Sequence, residues 1–293
     1  MCSPCAPAAT SSAPSIDIVT TKHLEPLSWV APVLGDNAKT HIFIYETGAG
    51  VPLPRAVAQH PRVTLRTKPP ERDPFYSFFD HAARNSGSGD YTLFVHGHDT
   101  HYHRQTPTRR LVALCYEAAA RATFAYANAG DAVHSTWAGC AHAASRASCV
   151  EAPPCASMVA LINSSWTAAL GALVGDARPP ARVAEINGNE ALVHRCRLAA
   201  RPAREWAALR DLTETHHGGL AFGLEGSFHR VMGEPWVRDG VTDGGLNFVA
   251  CGPNAVDTLW PGTARPPARS FDARWRGHTE LGLRAARGCG WAR

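Results

Sequence analysis

A short apolar run that leads directly into a histidine-rich segment is the feature that most constrains this chain. Tyr91–Val95 follows a turn rich in serine and glycine, and its aromatic and β-branched residues predict a buried strand. The next segment carries four histidines and one aspartate, namely His96, His98, Asp99, His101 and His103. Because open α/β sheets place ligand sites at the ends of such strands, this segment is the first candidate for a functional site.

Imidazole and carboxylate groups at this density indicate a site for a divalent cation. Side chains two residues apart on an extended segment point the same way, so His96 and His98 are expected to converge, and so are His101 and His103. Their ring nitrogens, with the carboxylate of Asp99, suit Zn²⁺ or Mn²⁺. The alternative is a polar loop whose histidines hold no ion.

A second histidine segment lies further along the chain and reads His216-His217-Gly218-Gly219. Its glycines either form a turn or let a ligand approach the backbone closely. We expect this segment to meet the one at 96–103, because neighbouring strands of one sheet bring their polar ends together. The alternative is that each segment ends its own strand at opposite edges of the sheet.

Strand and helix patterns alternate along the chain and favour an α/β fold. Apolar or alternating runs predict strands near Ile16, Ile42, Val63, Leu93 and Leu220. Helical spacing predicts helices over 74–84, 110–126 and 205–212, the first of them capped by Asp73. We therefore predict a single α/β domain over 15–264, with a mixed, mainly parallel sheet flanked by helices.

The two ends and the composition of the chain add coarser expectations. Residues 1–14, rich in Ala, Ser and Pro, predict a disordered leader, and the Arg/Gly-rich residues 265–293 predict a peripheral tail. No apolar run approaches the length of a membrane span and no signal peptide is visible, so we expect a soluble, cytoplasmic protein.

The nine cysteines, an odd number, agree with mostly reduced thiols. The net charge of +4 comes without a nucleic-acid motif, so no nucleic-acid partner is expected.

Two common classes of site find no support in the sequence. The segment Glu46–Gly50 resembles a glycine loop after a strand, but it lacks the fingerprints of the phosphate-binding loops. No serine lies in a G-x-S-x-G motif, so a serine hydrolase is not expected. Glu46 stays a candidate substrate contact because it directly precedes that glycine loop.

Several short motifs occur in a fixed order between about Ile16 and Gly262. They are the opening strand with Trp29, then H-I-F-I-Y-E, Arg72-Asp73, L-F-V-H-G-H, H-H-G-G-L-A-F-G-L-E-G and T-L-W-P-G. Together they resemble the eukaryotic domain of unknown function 3431, a family common in fungi and algae. The layout of that uncharacterised family is similar to the nucleotide-sugar glycosyltransferases of the GT-A type.

The resemblance implies a metal-dependent, glycosyltransferase-like enzyme with a nucleotide-sugar donor and a glycan or small-molecule acceptor. His96-Gly97-His98-Asp99 stands where GT-A enzymes carry Asp-x-Asp, so Mn²⁺ or Zn²⁺ at His98 and Asp99 would face the leaving diphosphate. Glu225 or Asp243 would be the acceptor base. The substrate contacts implied in this way are Arg72, Asp73, Glu46, His216, His217, Gly218 and Gly219.

Two other functions remain open from the sequence. In a zinc-dependent hydrolase, three or more histidines would hold the ion and activate water. A non-catalytic binding module on the same fold would need neither an ion nor a base. The number of imidazoles around one ion separates the hydrolase from the transferase.

Overall fold

The structure is a computed structural model that describes most of the first half of the chain and parts of the second. The described residues are 13–69, 74–85, 89–100, 106–121, 126–128, 132–135, 171–174, 183–186, 190–215, 224, 228–233 and 247–249. No helix among these residues is long and apolar enough to cross a membrane.

Nine strands and seven helices have defined bounds within the described residues. The strands are β1 (Ile16–Lys22), β2 (Thr40–Glu46), β3 (Val63–Thr67), β4 (Tyr91–Val95), β5 (Tyr126–Asn128), β6 (Ala132–Ser135), β7 (Val183–Ile186), β8 (Ala191–His194) and β9 (Asn247–Val249). The helices are α1 (Val30–Asp36), α2 (Arg55–Ala58), α3 (Pro74–Asn85), α4 (Thr108–Arg121), α5 (Gly171–Val174), α6 (Arg195–Ala199) and α7 (Ala203–Thr215).

Seven of the strands form one mixed sheet in the order β3-β2-β1-β4-β8-β5-β9. The first four strands in this order are parallel to one another. Strand β8 runs antiparallel to both β4 and β5, and β9 runs antiparallel to β5. Strands β6 and β7 form a separate antiparallel pair.

Helices cover both faces of this sheet. On one face, Ile18, Ile44 and Leu93 belong to the same buried cluster as apolar residues of α1 and α4. On the other face, Phe43 and Phe94 belong to a second cluster with the aromatic residues of α3 and α7. All residues of β1 and β4 are buried, as expected for parallel strands covered on both sides.

The prediction of a mixed sheet flanked by helices is confirmed, and so are the strands near Ile16, Ile42, Val63 and Leu93. Parallel pairing, however, is confined to four strands, and the antiparallel half was not predicted because β5, β8 and β9 have only three or four residues each. The strand predicted near Leu220 lies outside the described residues.

The helix predictions are confirmed with one error. The helices predicted over 74–84 and 205–212 correspond to α3 and α7. The helix predicted over 110–126 ends at Arg121, and Tyr126 begins β5 instead. Tyr126 is 1% exposed and pairs with Val193 of β8, so burial in the sheet outweighs the helical pattern of the segment.

The leader predicted for 1–14 and the tail predicted for 265–293 lie outside the described residues, apart from residues 13 and 14. The carbonyl oxygen of Ala13 accepts a hydrogen bond from Lys39 Nζ at 2.6 Å, and Pro14 is buried. The two cysteines that the structure describes differ, because Cys115 is buried and not part of a disulfide, whereas Cys196 is disulfide-bonded. At least two of the nine cysteines, Cys196 and its partner, are therefore oxidised in this fold.

His81, on α3, is fully buried between the helix and the sheet. Its ring lies 4.5 Å from the ring of Phe43 in an edge-on arrangement. Burial, reinforced by the positive charge of Arg66, lowers the pKa of His81 to about 3. The imidazole is therefore neutral in the folded protein at any pH near neutrality.

This burial makes the stability of the fold dependent on pH. Below about pH 6.5 the unfolded chain binds a proton at His81 that the folded chain does not, so acid favours unfolding. We expect the contribution of His81 to the free energy of unfolding to fall by about 1.4 kcal/mol per pH unit between pH 6.5 and 5. Urea denaturation of the His81→Leu variant should show a shallower pH dependence over this range. An unchanged pH dependence in the variant would contradict this assignment.

Candidate functional site

The carboxyl ends of β1 and β4 lie side by side at the point where the strand order reverses. From β1 the chain continues to β2 and β3 on one side, and then returns to β4 on the other side of β1. In open α/β sheets this switch point opens a crevice in which ligands bind. The loops that follow the two strands, residues 23–27 and 96–99, therefore flank the position where a ligand site is expected.

Gly97 brings the loop after β4 against the backbone of β1 and the side chain of Glu25. A Cβ atom at this position would lie 2.3 Å from the carbonyl oxygen of Thr21 and 3.1 Å from Cγ of Glu25. The carbonyl oxygen of Gly97 also accepts a hydrogen bond from the indole Nε1 of buried Trp29, at 3.0 Å. Trp29, which belongs to the opening motif, is therefore buried and holds the loop after β4.

Beside this contact, an imidazole and a carboxylate from the two loops form a pair. His98 Nε2 lies 3.5 Å from Glu25 Oε1, and the His98 side chain is 55% exposed while that of Glu25 is 15% exposed. The other carboxylate oxygen, Glu25 Oε2, accepts a hydrogen bond from the backbone N–H of His23 at 2.6 Å. A carboxylate held in this way can orient an imidazole for binding a cation or for proton transfer.

The loop after β2, residues 47–51, is tied to the end of β1. The buried side chain of Lys22 donates from Nζ to the carbonyl oxygen of Ala49 at 2.9 Å. Thr47 donates its N–H to the Lys22 carbonyl oxygen at 3.1 Å, and its hydroxyl lies 2.9 Å from His23 Nδ1. These contacts hold the glycine loop after β2 in place beside the loop after β1.

Glu46 ends β2 and lies opposite Lys22 in the strand register. It is half-buried, and its carbonyl oxygen accepts the backbone N–H of Lys68 at 2.9 Å. The structure therefore places Glu46 at the same edge as His98, one strand away from the switch point. Its role as a substrate contact remains a prediction.

Glu190 is a carboxylate at this edge that the sequence did not single out. It is 1% exposed, directly precedes β8, and accepts the backbone N–H of His96 at Oε1 over 2.9 Å. Only the antiparallel pairing of β8 with β4 brings it to the end of β4. A lone glutamate before a four-residue strand gave no signal for this position.

Asp99 has a structural contact of its own. Its Oδ1 accepts the backbone N–H of Thr108, the first residue of α4, at 2.9 Å. The hydroxyl of Thr108 also lies 3.2 Å from the Asp99 carbonyl oxygen. Asp99 therefore satisfies a backbone donor at the start of α4, in the manner of a capping residue, in addition to any role as a ligand.

The described part of the chain contains no group of three or more His, Cys, Asp or Glu side chains placed to hold one metal ion. His98 pairs with Glu25 on the β1 side, whereas the backbone of His96 is bonded to Glu190 on the β8 side. Among the described residues, the pair at this point joins one imidazole and one carboxylate. His101 and His103, the other predicted ligands of this segment, lie outside the described residues.

The remaining predicted site residues also fall outside the described residues, so their roles stay predictions. They are Arg72, Asp73, His216, His217, Gly218, Gly219, Glu225 and Asp243. The expected meeting of the two histidine segments depends on several of these positions.

A comparison of the chain with protein-family models finds no match, and a search of curated proteins finds no similar sequence. The resemblance to the eukaryotic domain of unknown function 3431 therefore rests on the order and content of its short motifs. The chemistry of the site has to be argued from the loops after β1, β2 and β4.

Proposed function

We propose that this chain is a metal-dependent, glycosyltransferase-like enzyme that binds a nucleotide sugar at the carboxyl ends of β1 and β4. The observation that carries the proposal is the position of the histidine segment after β4, at the switch point of the strand order. The order β3-β2-β1-β4 and the mixed sheet agree with the GT-A-like layout that the motifs imply, and with a single α/β domain.

The donor atoms at the end of β4 suit a divalent cation in their chemistry. His98 offers nitrogen and Asp99 offers oxygen, and this combination is compatible with Zn²⁺ or Mn²⁺. His101 and His103 are the proposed additional ligands. A cation bound there would offset the negative charge of the diphosphate on the donor sugar.

The chain itself supplies a rigid frame for this chemistry. Gly97 keeps the loop after β4 close to the backbone of Thr21 in β1, and the Lys22–Ala49 contact fixes the neighbouring glycine loop. Arg72 is the proposed phosphate contact because a guanidinium can bind two phosphate oxygens at once. Glu225 or Asp243 is the proposed base that accepts the proton of the acceptor hydroxyl.

We expect nucleoside diphosphates to bind the full chain only when Mn²⁺ or Zn²⁺ is present. Isothermal titration with UDP and GDP, with and without each ion, measures this directly. His98→Ala should weaken binding at least about tenfold, because it removes a proposed ligand. The control is His60→Ala, since His60 precedes β3 and lies at the opposite edge of the sheet. Failure of both nucleotides to bind, with or without the ions, would contradict the proposal.

A zinc-dependent hydrolase is the second candidate, and the pairing of His98 with Glu25 favours it. Histidines that bind zinc commonly donate their other ring nitrogen to a carboxylate in this way. Purified chain that retains zinc through three or more imidazoles, hydrolyses ester or amide substrates and does not bind nucleotides would select this function. Binding of nucleotides without turnover of any nucleotide sugar would select a non-catalytic module.

A further inference from the structure

Glu25 is the residue with the most informative contacts at the switch point, although the sequence did not single it out. Both of its carboxylate oxygens are engaged, Oε2 by the backbone N–H of His23 and Oε1 by the imidazole of His98. Its side chain is 15% exposed, and its Cγ lies 3.1 Å from the position that a Cβ of Gly97 would occupy. Glu25 is therefore held on three sides before any ligand binds.

We propose that Glu25 is a positioning residue that fixes the ring orientation and the protonation pattern of His98. This inference rests on the proposed function, because it takes His98 as the residue that contacts the ligand. Glu25 itself acts through His98 and need not touch the ligand.

The chemistry follows from what each group can donate. An ionised carboxylate only accepts hydrogen bonds, so the ring nitrogen that faces Glu25 Oε1 has to carry the proton. In the structure that nitrogen is Nε2 of His98, which lies 3.5 Å from Glu25 Oε1, an ion-pair distance slightly longer than an ordinary N–H···O hydrogen bond. Neutral His98 then carries its lone pair on Nδ1, and a cation would be bound through Nδ1.

The backbone explains why this arrangement is stable. Gly97 immediately precedes His98, and its tight contact with Thr21 fixes where the His98 backbone lies relative to β1. The N–H of His23 fixes the other end of the pair by holding Glu25 Oε2 at 2.6 Å. Neither contact requires the ligand, so the His98 imidazole is already oriented before a ligand binds.

The direct test is the protonation pattern of the His98 ring in the ¹⁵N-labelled full chain. Long-range ¹H–¹⁵N spectra distinguish the two neutral forms of each histidine, and His98→Gln identifies the His98 signals among the 15 histidines. We expect the Nε2–H form in the unsubstituted chain and a mixture of both forms in Glu25→Gln. Glu25→Asp, which keeps the charge, should retain more of the Nε2–H form than Glu25→Gln does.

Glu117→Gln is the matched control, because Glu117 is a half-exposed glutamate on α4 that pairs with Arg110. It should leave the His98 signals unchanged. Predominance of the Nδ1–H form in the unsubstituted chain, or an identical pattern in Glu25→Gln, would overturn the proposal. If the role of Glu25 were purely structural, Glu25→Gln would lower the denaturation midpoint without changing the protonation pattern of the His98 ring. Denaturation of the same samples therefore distinguishes the two roles.

A second measurement separates this inference from the proposed function. If His98 binds Mn²⁺ or Zn²⁺, Glu25→Gln should weaken the affinity for the ion by about 10- to 100-fold, as loss of a supporting carboxylate does. An unsubstituted chain that shows the Nε2–H form but binds neither ion would contradict the metal-dependent function and leave the positioning role of Glu25 intact. Ion affinity that is unchanged in Glu25→Gln would contradict the positioning role at the metal site.

Discussion

Gly97→Ala is expected to destabilise the protein by about 3 kcal/mol, the upper part of the range for an added methyl group that the structure has no space for. The new Cβ would lie 2.3 Å from the carbonyl oxygen of Thr21. Because that oxygen belongs to the backbone of β1, no side-chain rotation relieves the contact. The end of β4 has to move away from β1, and the hydrogen bond from Trp29 to Gly97 is lost or weakened with it. Urea denaturation measures the loss of stability.

The matched control is Gly35→Ala in α1. Nothing lies within 4 Å of the Cβ that this substitution would add, and alanine is the better helix former. We expect Gly35→Ala to be neutral or to stabilise the fold by about 0.5 kcal/mol. Equal effects of the two substitutions would show that the loop after β4 is not in contact with the backbone of β1.

The shift of the end of β4 in Gly97→Ala should also abolish the nucleotide binding that is proposed for this crevice.

Asp80→Ala is expected to have a comparable effect by a different mechanism. The Asp80 carboxylate is 5% exposed and lies between three guanidinium groups, those of Arg66, Arg84 and Arg210. It also accepts a hydrogen bond from the hydroxyl of Tyr45 at 3.1 Å. Removing the carboxylate that the three arginines share brings their positive charges into mutual repulsion, although Arg210 keeps its pair with Asp211. We expect a cost of about 3 kcal/mol, near the lower limit for a broken buried pair. The lower limit applies because the arginine side chains are between 22% and 60% exposed and regain part of their hydration.

The pH dependence of stability provides an independent readout for Asp80. Burial alone would raise the pKa of this carboxyl group, but hydrogen bonds from Arg84 and Arg210 outweigh burial and lower the pKa below its ordinary value. The stabilisation is therefore complete above the pKa of the unfolded chain, about 3.9, and is lost as the pH falls through the lower pKa of the folded state. Asp80→Ala should lack this loss of stability in acid.

Asp36→Asn is the control for a carboxylate with an arginine partner at the surface. Asp36 pairs with Arg109, and both side chains are well exposed. Surface pairs of this kind contribute little, so no measurable change in the denaturation midpoint is expected. A large effect at Asp36 together with none at Asp80 would mean that the arginine cluster around buried Asp80 does not support the fold.

The core strands could be predicted because their patterns are local. Runs such as Tyr91–Val95 are apolar throughout, and strands that are buried on both faces require this composition. The helix at Pro74–Asn85 could be predicted for the same reason, since its aromatic residues recur at helical spacing. The short strand Ala191–His194 could not, because four apolar residues are compatible with several structures until a partner strand is known.

The residues of the candidate site also fall into those that the sequence could identify and those that it could not. The sequence identified His96, His98 and Asp99, because several imidazoles next to a carboxylate after a buried strand are uncommon. It did not identify Glu25 or Glu190, since a single glutamate carries no pattern. Glu25 reaches His98 only because β1 and β4 are neighbours, and Glu190 reaches His96 only because β8 inserts antiparallel beside β4.

By itself, the sequence determined that this chain forms an α/β sheet with a polar, histidine-rich segment at the end of a central strand. Periodicity and composition carry that information because they act over a few neighbouring residues. Only the tertiary structure decided that β4 lies beside β1, that Gly97 touches the backbone of Thr21, and that Asp99 caps α4. These contacts join residues far apart along the chain, and they form only when particular strands become neighbours in the sheet, which no local pattern encodes.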